Sequence, residues 1–136
     1  MLNINKKFVV WFSRFSIFLI YFWFGILKVF AVSPASSLVK ALLMRTMPFM
    51  DFGTFMICFG IFEMVIGISF LFPRLNRLAF SLLVLHMGMI ISPLVLLPQV
   101  SWQSLLVPTI EGQYIIKNIL TMALALNIFN YREDRN

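Results

Sequence analysis

The stretch Phe52-Gly53-Thr54-Phe55-Met56-Ile57-Cys58-Phe59-Gly60-Ile61-Phe62-Glu63-Met64-Val65-Ile66-Gly67-Ile68-Ser69-Phe70-Leu71-Phe72 decides the fold class. A helix crosses the hydrocarbon of a bilayer with about 20 largely apolar residues, and this run meets that length with one acidic side chain, Glu63, near its middle. The same test picks out 8–30, 78–97 and 113–129. The last of these is the shortest and opens on Gln113, Tyr114, Lys117 and Asn118, but 119–129 is too apolar to leave in water. The expectation is an all-α integral membrane protein, a single domain over 1–136 that forms a four-helix bundle with both termini cytoplasmic. Between the first two spans Leu38, Val39, Leu42 and Leu43 recur at helical spacing, which suits a short helix lying in the interface.

Composition agrees. The chain is 61% hydrophobic and 12% charged, against about 45–50% and about 25% for an ordinary soluble domain. Its net charge of +6 does not make a nucleic-acid face, because the Lys and Arg residues sit at span ends rather than on one surface. Lys6, Lys7, Arg74, Arg77, Arg132 and Arg135 fall on one side of a four-span path, Lys40 and Arg45 on the other, so the first side is expected to be cytoplasmic. Lys6 and Lys7 ahead of an apolar run also resemble a signal peptide. The run is too long for one and contains Arg14 and Lys28, so it reads as a retained span of a multi-pass membrane protein. Cys58 is the only cysteine, which excludes an intrachain disulfide, a CxxC pair and a cysteine-built metal site.

The informative residues are those that interrupt the apolar runs, since an ionisable group inside a span costs roughly 2.5–3.5 kcal/mol unless it finds a partner or a wet cavity. With about 100° of turn per residue, Arg14, Tyr21, Gly25 and Lys28 lie within a stripe roughly 60° wide on the first span. On the second, Gly60 and Gly67 share the face of Glu63 with Gly53 nearby, and small residues there let another helix approach. Counting depth from Phe8 and Phe72 puts Arg14 within about one turn of Glu63, so Arg14 is the expected counter-ion. That pair reads equally as a structural clamp. Lys28, near the other end, can snorkel to the headgroups instead.

His86 stands alone in the third span, where it suits a proton relay, a quinone hydrogen bond or, most simply, a hydrogen bond to another helix. One His does not make a haem or metal site, and Met87 and Met89 are ordinary packing residues as readily as axial ligands. At the start of the fourth span, Gln113, Lys117 and Thr121 share a face beside Glu111 and Asn118, so a polar patch is expected toward the outer side as part of an internal pocket; Pro93 is expected to kink the third span near it. No phosphate loop, GxSxG or HExxH is present.

Several segments resemble the DoxX-like family of small four-span membrane proteins, especially its branch of inner-membrane proteins linked to reactive-chlorine resistance. Arg14-Phe15-Ser16-Ile17 followed by Phe22-Trp23-Phe24-Gly25-Ile26-Leu27-Lys28 is similar to that family's Arg, then Gly-x-x-Lys pattern. Gly60-Ile61-Phe62-Glu63-Met64-Val65-Ile66-Gly67 is similar to its Gly-x-x-Glu-x-x-x-Gly pattern. The turn from Pro73 to Arg77 and the segment from Glu111 to Asn118 resemble its short cytoplasmic turn and the start of its fourth helix. The resemblance implies a subunit of a redox or oxidative-stress system in a bacterial inner membrane, with an internal polar pocket for a quinone-like ligand, working beside a redox-protein partner or as a homo-oligomer. It equally admits a non-catalytic scaffold or assembly factor.

Overall fold

The computed structural model describes residues 5–131, so Arg132 and Arg135 of the charge pattern lie outside the described residues. Helix α1 (Lys6–Val29) starts where the Asn5 side chain accepts the Lys7 amide at 2.9 Å, a polar cap that satisfies one of the free donors of a first turn. It ends in a Schellman closure: the Ala31 amide bonds the Lys28 carbonyl, the Val32 amide bonds the Leu27 carbonyl, and Ala31 takes a left-handed φ of 57°. A short helix, α2 (Ser36–Thr46), follows in the connector, where the spacing of Leu38 to Leu43 places it. Helix α3 (Phe52–Leu71) is capped by Asp51, whose carboxylate accepts the Thr54 amide at 2.8 Å. That hydrogen bond holds the Asp51 carboxyl below its ordinary range.

A 3-10 turn at Pro73–Leu75 leads into α4 (Asn76–Ile91). Pro93 ends α4, since proline has no N–H to give the Met89 carbonyl; the Ser92 hydroxyl takes that carbonyl at 2.7 Å. The chain resumes as α5 (Pro93–Leu96) and α6 (Pro98–Ser101), then forms a small antiparallel hairpin of β1 (Trp102–Ser104) and β2 (Val107–Pro108). This hairpin is absent from the sequence reading, which treats the segment as a plain connector. Helix α7 (Ile110–Asn130) closes the fold, with Thr109 accepting the Gly112 amide.

Packing is led by α1 against α3. Gly25 and Gly60 meet backbone to backbone, and Gly67 lies against the backbone of Phe18 and Phe22, so the two helices run antiparallel. Helix α4 packs on α3 and α7, and the stacked Phe80 and Phe129 rings, 4.8 Å apart, fix α7 antiparallel to α4. Ile17, Ile66, Phe70, Ala79, Leu83, Ala125 and Ile128 form the dry centre of this arrangement.

The outside is the reverse of a water-soluble protein: Phe8, Phe12, Trp23, Leu85 and Leu120 each expose 60% or more of their surface. Three helical segments, Lys6–Val29, Phe52–Leu71 and Pro73–Leu96, are long and apolar enough to cross a bilayer. With an apolar outer surface on those segments, the chain is a multi-pass membrane protein. Helix α7 has the length, but its first turns are too polar for the same criterion.

Candidate functional site: a buried chain of titratable groups

The three best-packed helices converge on four side chains. Glu63 of α3 receives the Lys28 ammonium of α1 on Oε2 at 2.6 Å and faces His86 of α4 through Oε1, with Nε2 at 3.0 Å. The other His86 nitrogen, Nδ1, is 3.2 Å from the Tyr21 hydroxyl of α1. Tyr21, Lys28 and Glu63 are each 5–6% exposed and His86 1%. The assignment that leaves His86 neutral and satisfies each contact has Nε2–H donating to Glu63 and the Tyr21 O–H donating to Nδ1. One ammonium and one carboxylate then sum to zero, which is the condition under which such groups survive in hydrocarbon.

The pairing of Lys28 with Glu63 follows from the glycine contact. In an α-helix each Cα–Cβ bond leans toward the helix N-terminus. Lys28 and Glu63 lie three residues beyond Gly25 and Gly60 respectively, on antiparallel helices, so each side chain leans back toward the crossing point and toward the other. The glycines remove the bulk that would hold the helices apart, and a short ion pair results. Arg14 leans the same way, toward the start of α1, but it already lies on that side of the crossing point, so its lean carries it away from Glu63. Its Nη1 donates to the Phe70 carbonyl and to Asn76 Oδ1, both at 2.8 Å, and its guanidinium lies 5.9 Å from the Trp11 ring. The expected Arg14–Glu63 pair is therefore corrected: the carboxylate belongs to Lys28 and His86, while Arg14 ties α1 to the last turn of α3 and the start of α4.

Aromatic rings enclose the four groups. Phe59 stacks on His86 with centroids 5.2 Å apart and lies 5.4 Å from the Lys28 ammonium; Phe62 meets the imidazole edge-on. Phe59 is half-buried, so its ring separates His86 from the outside of the bundle. One aromatic among the many in the spans does not stand out in the sequence, although its position four residues before Glu63 puts it on the same face.

The polar start of α7 does not join the cluster. Glu111, Gln113, Tyr114 and Lys117 are exposed, Asn118 is half-buried and bonds the Tyr114 carbonyl, and Lys117 lies over the Tyr114 ring. The inward face there is Gly112 and Ile115, with the Gly112 backbone against the Ser101 carbonyl. Among the glycines read as packing positions, Gly25, Gly60 and Gly67 sit in helix contacts, whereas Gly53 is exposed in the first turn of α3.

Fold and site together define a class: a multi-pass helical membrane protein with a hydrogen-bonded chain of ionisable side chains in its interior. Compared with models of known protein families, with curated proteins and with solved structures, the chain matches none.

Proposed function

We propose that this protein is a small subunit of a membrane redox or oxidative-stress system, seated in a bacterial inner membrane as a four-span bundle. The observation that carries the reading is the unbroken line Tyr21–His86–Glu63–Lys28, four titratable groups in series inside membrane helices. Such a line passes a proton by shifting it along successive hydrogen bonds, and imidazole changes charge nearest physiological pH. A quinone-like carrier takes two electrons and two protons on reduction. In this reading the electrons come from a partner oxidoreductase, the protons pass through His86 and Glu63, and the half-buried Phe59 ring offers the flat apolar surface on which the carrier's ring docks. The DoxX-like pattern of Arg14, Gly25, Lys28, Gly60 and Glu63 points to the same class of system.

Protein purified from native membranes is expected to retain a quinone-class lipid, and Phe59→Ala and His86→Phe to lose it. Infrared difference spectra on quinone reduction should contain a carboxyl band that Glu63→Gln abolishes. Retention of no quinone, with unchanged cellular activity in these variants, would sink the proposal in favour of a scaffold. One observation favours that second reading: no buried side-chain nitrogen or oxygen among the described residues lacks a partner, as suits a clamp that only fixes helix register.

The fourth crossing is assigned to α7 because its second half, 119–129, is apolar and its buried Ala125 and Ile128 complete the core. Lys6, Lys7, Arg74 and Arg77 gather at one end of the bundle, which supports cytoplasmic termini. In a Cys58→Ser background, Ser37→Cys and Ser104→Cys are expected to react with a membrane-impermeant maleimide on intact cells, and Asn136→Cys only after permeabilisation. Labelling of Asn136→Cys on intact cells would place the C-terminus on the opposite side.

A further inference from the structure

Two cavities open at the end of the bundle where α1 begins, far from the Tyr21–Lys28 cluster. The larger, about 1030 Å³, lies between the start of α1, the 3-10 turn and the end of α7. Lys7, Arg14 and Arg74 are the charged residues of its described lining, all basic, with Trp11, Asn76 and Tyr131 among their neighbours. The smaller, about 400 Å³, is a groove between α1 and α7 lined by Lys6, Val9, Ser13, Leu124, Asn127 and Ile128. Val10 and Tyr131 line both, so the two spaces are neighbours.

We propose that this paired cavity is a binding site for an anionic phospholipid, its phosphate held by Lys7 and Arg74 and one acyl chain laid in the α1–α7 groove. Positive-inside topology alone accounts for basic residues at this end, but it does not account for their lining a concave site beside a largely apolar groove. Basic pockets between membrane helices on the cytoplasmic side suit anionic headgroups. Lys7 and Arg74 are exposed and their side chains are free to close on a phosphate, which Arg binds bidentately. Arg14 forms part of the wall, with Nη1 given to Phe70 and Asn76, and is not counted as a phosphate ligand. Trp11, about half exposed, and Tyr131 are the amphipathic rings expected at headgroup depth. From Tyr131 back to Leu124 the groove rises about 10 Å into the hydrocarbon, enough for the first half of an acyl chain. A free phosphate would use the same two cations but leave the groove empty, and this distinguishes the two sources.

The test is native mass spectrometry of the full chain in detergent with added phosphatidylglycerol, phosphatidylcholine or inorganic phosphate. Phosphatidylglycerol is expected to be retained selectively. Lys7→Gln combined with Arg74→Gln should weaken that retention about 30-fold, at roughly one headgroup contact's worth per cation. Lys40→Gln with Arg45→Gln, at the other end of the molecule, should not weaken it. Leu124→Trp, which fills the groove, should reduce lipid retention; circular dichroism and thermal unfolding establish that each variant is folded. Equal retention of phosphatidylcholine, or no effect of the Lys7 and Arg74 changes, overturns the proposal. Complete displacement of lipid by inorganic phosphate with no effect of Leu124→Trp also overturns it, by making the site one for soluble anions.

Discussion

Glu63→Leu is expected to be among the most damaging single substitutions in the chain, lowering the stability of the bundle by about 3–5 kcal/mol, the usual cost of removing one partner from a buried ion pair. The loss has a definite origin. Lys28 is 6% exposed and its ammonium has Glu63 as a counter-ion at 2.6 Å; without the carboxylate it must lose its proton or pull α1 out of register. Lys28→Met alone should be comparably harmful, because it strands the carboxylate with only His86. Combining Lys28→Met with Glu63→Leu should recover most of the stability, since two apolar side chains of similar size replace a pair whose desolvation nearly cancels its attraction. Unfolding in detergent, followed by tryptophan fluorescence, checks all three variants. A double variant as unstable as the sum of the singles would refute the pairing. The same double variant separates function from clamp: a relay stops working when the bundle recovers, whereas a clamp does not.

The apolar spans are legible because composition and length alone demand them: no soluble packing hides Phe, Trp and Leu at the density of 8–30 and 52–72. The stripe carrying Arg14, Tyr21, Gly25 and Lys28 is legible from helical rotation, and Glu63 stands out as a carboxylate amid apolar residues. What fails is the step from faces to partners. Depth counted from span ends favours Arg14 for Glu63, but the lean of side chains toward each helix's own start reverses that choice, and the Gly25–Gly60 contact that sets the register is a tertiary fact. The α7 start fails for a related reason. Periodicity puts Gln113 and Lys117 on one face without saying which face meets the bundle, and the bare backbone of Gly112 decides it by packing on Ser101. The hairpin at Trp102–Pro108 carries no Asn-Gly or Asp-Gly signal; its tip is Leu105-Leu106, with Leu106 at a φ of 61°.

That tertiary fact also predicts which glycine substitution is worst. A Cβ added at Gly60 would stand 2.5 Å from the Gly25 carbonyl oxygen and 3.0 Å from both the Lys28 Cβ and a Val29 methyl. The first of these is backbone, which cannot rotate away, so Gly60→Val must push α1 and α3 apart. Overpacking of this kind costs about 1–3 kcal/mol and sometimes more, and here it also lengthens the Lys28–Glu63 contact that hangs from the same crossing point. Gly60→Val is therefore expected to lower the melting temperature and to remove the infrared carboxyl signal of Glu63 together, although it touches neither charged atom. Gly25→Ala should act in the same direction, because its Cβ meets the Gly60 carbonyl oxygen at 2.5 Å. Once one of the two has separated the helices the second has less to displace, so Gly25→Ala with Gly60→Ala should cost less than the sum of the singles. Gly88→Ala is the control: nothing lies within 4 Å of its added Cβ, and inside a helix Ala is favoured over Gly by about 0.5–1 kcal/mol. Stability unchanged in Gly60→Val would show that α1 and α3 do not cross at these glycines, and the geometric account of the Lys28–Glu63 pair would fall with it.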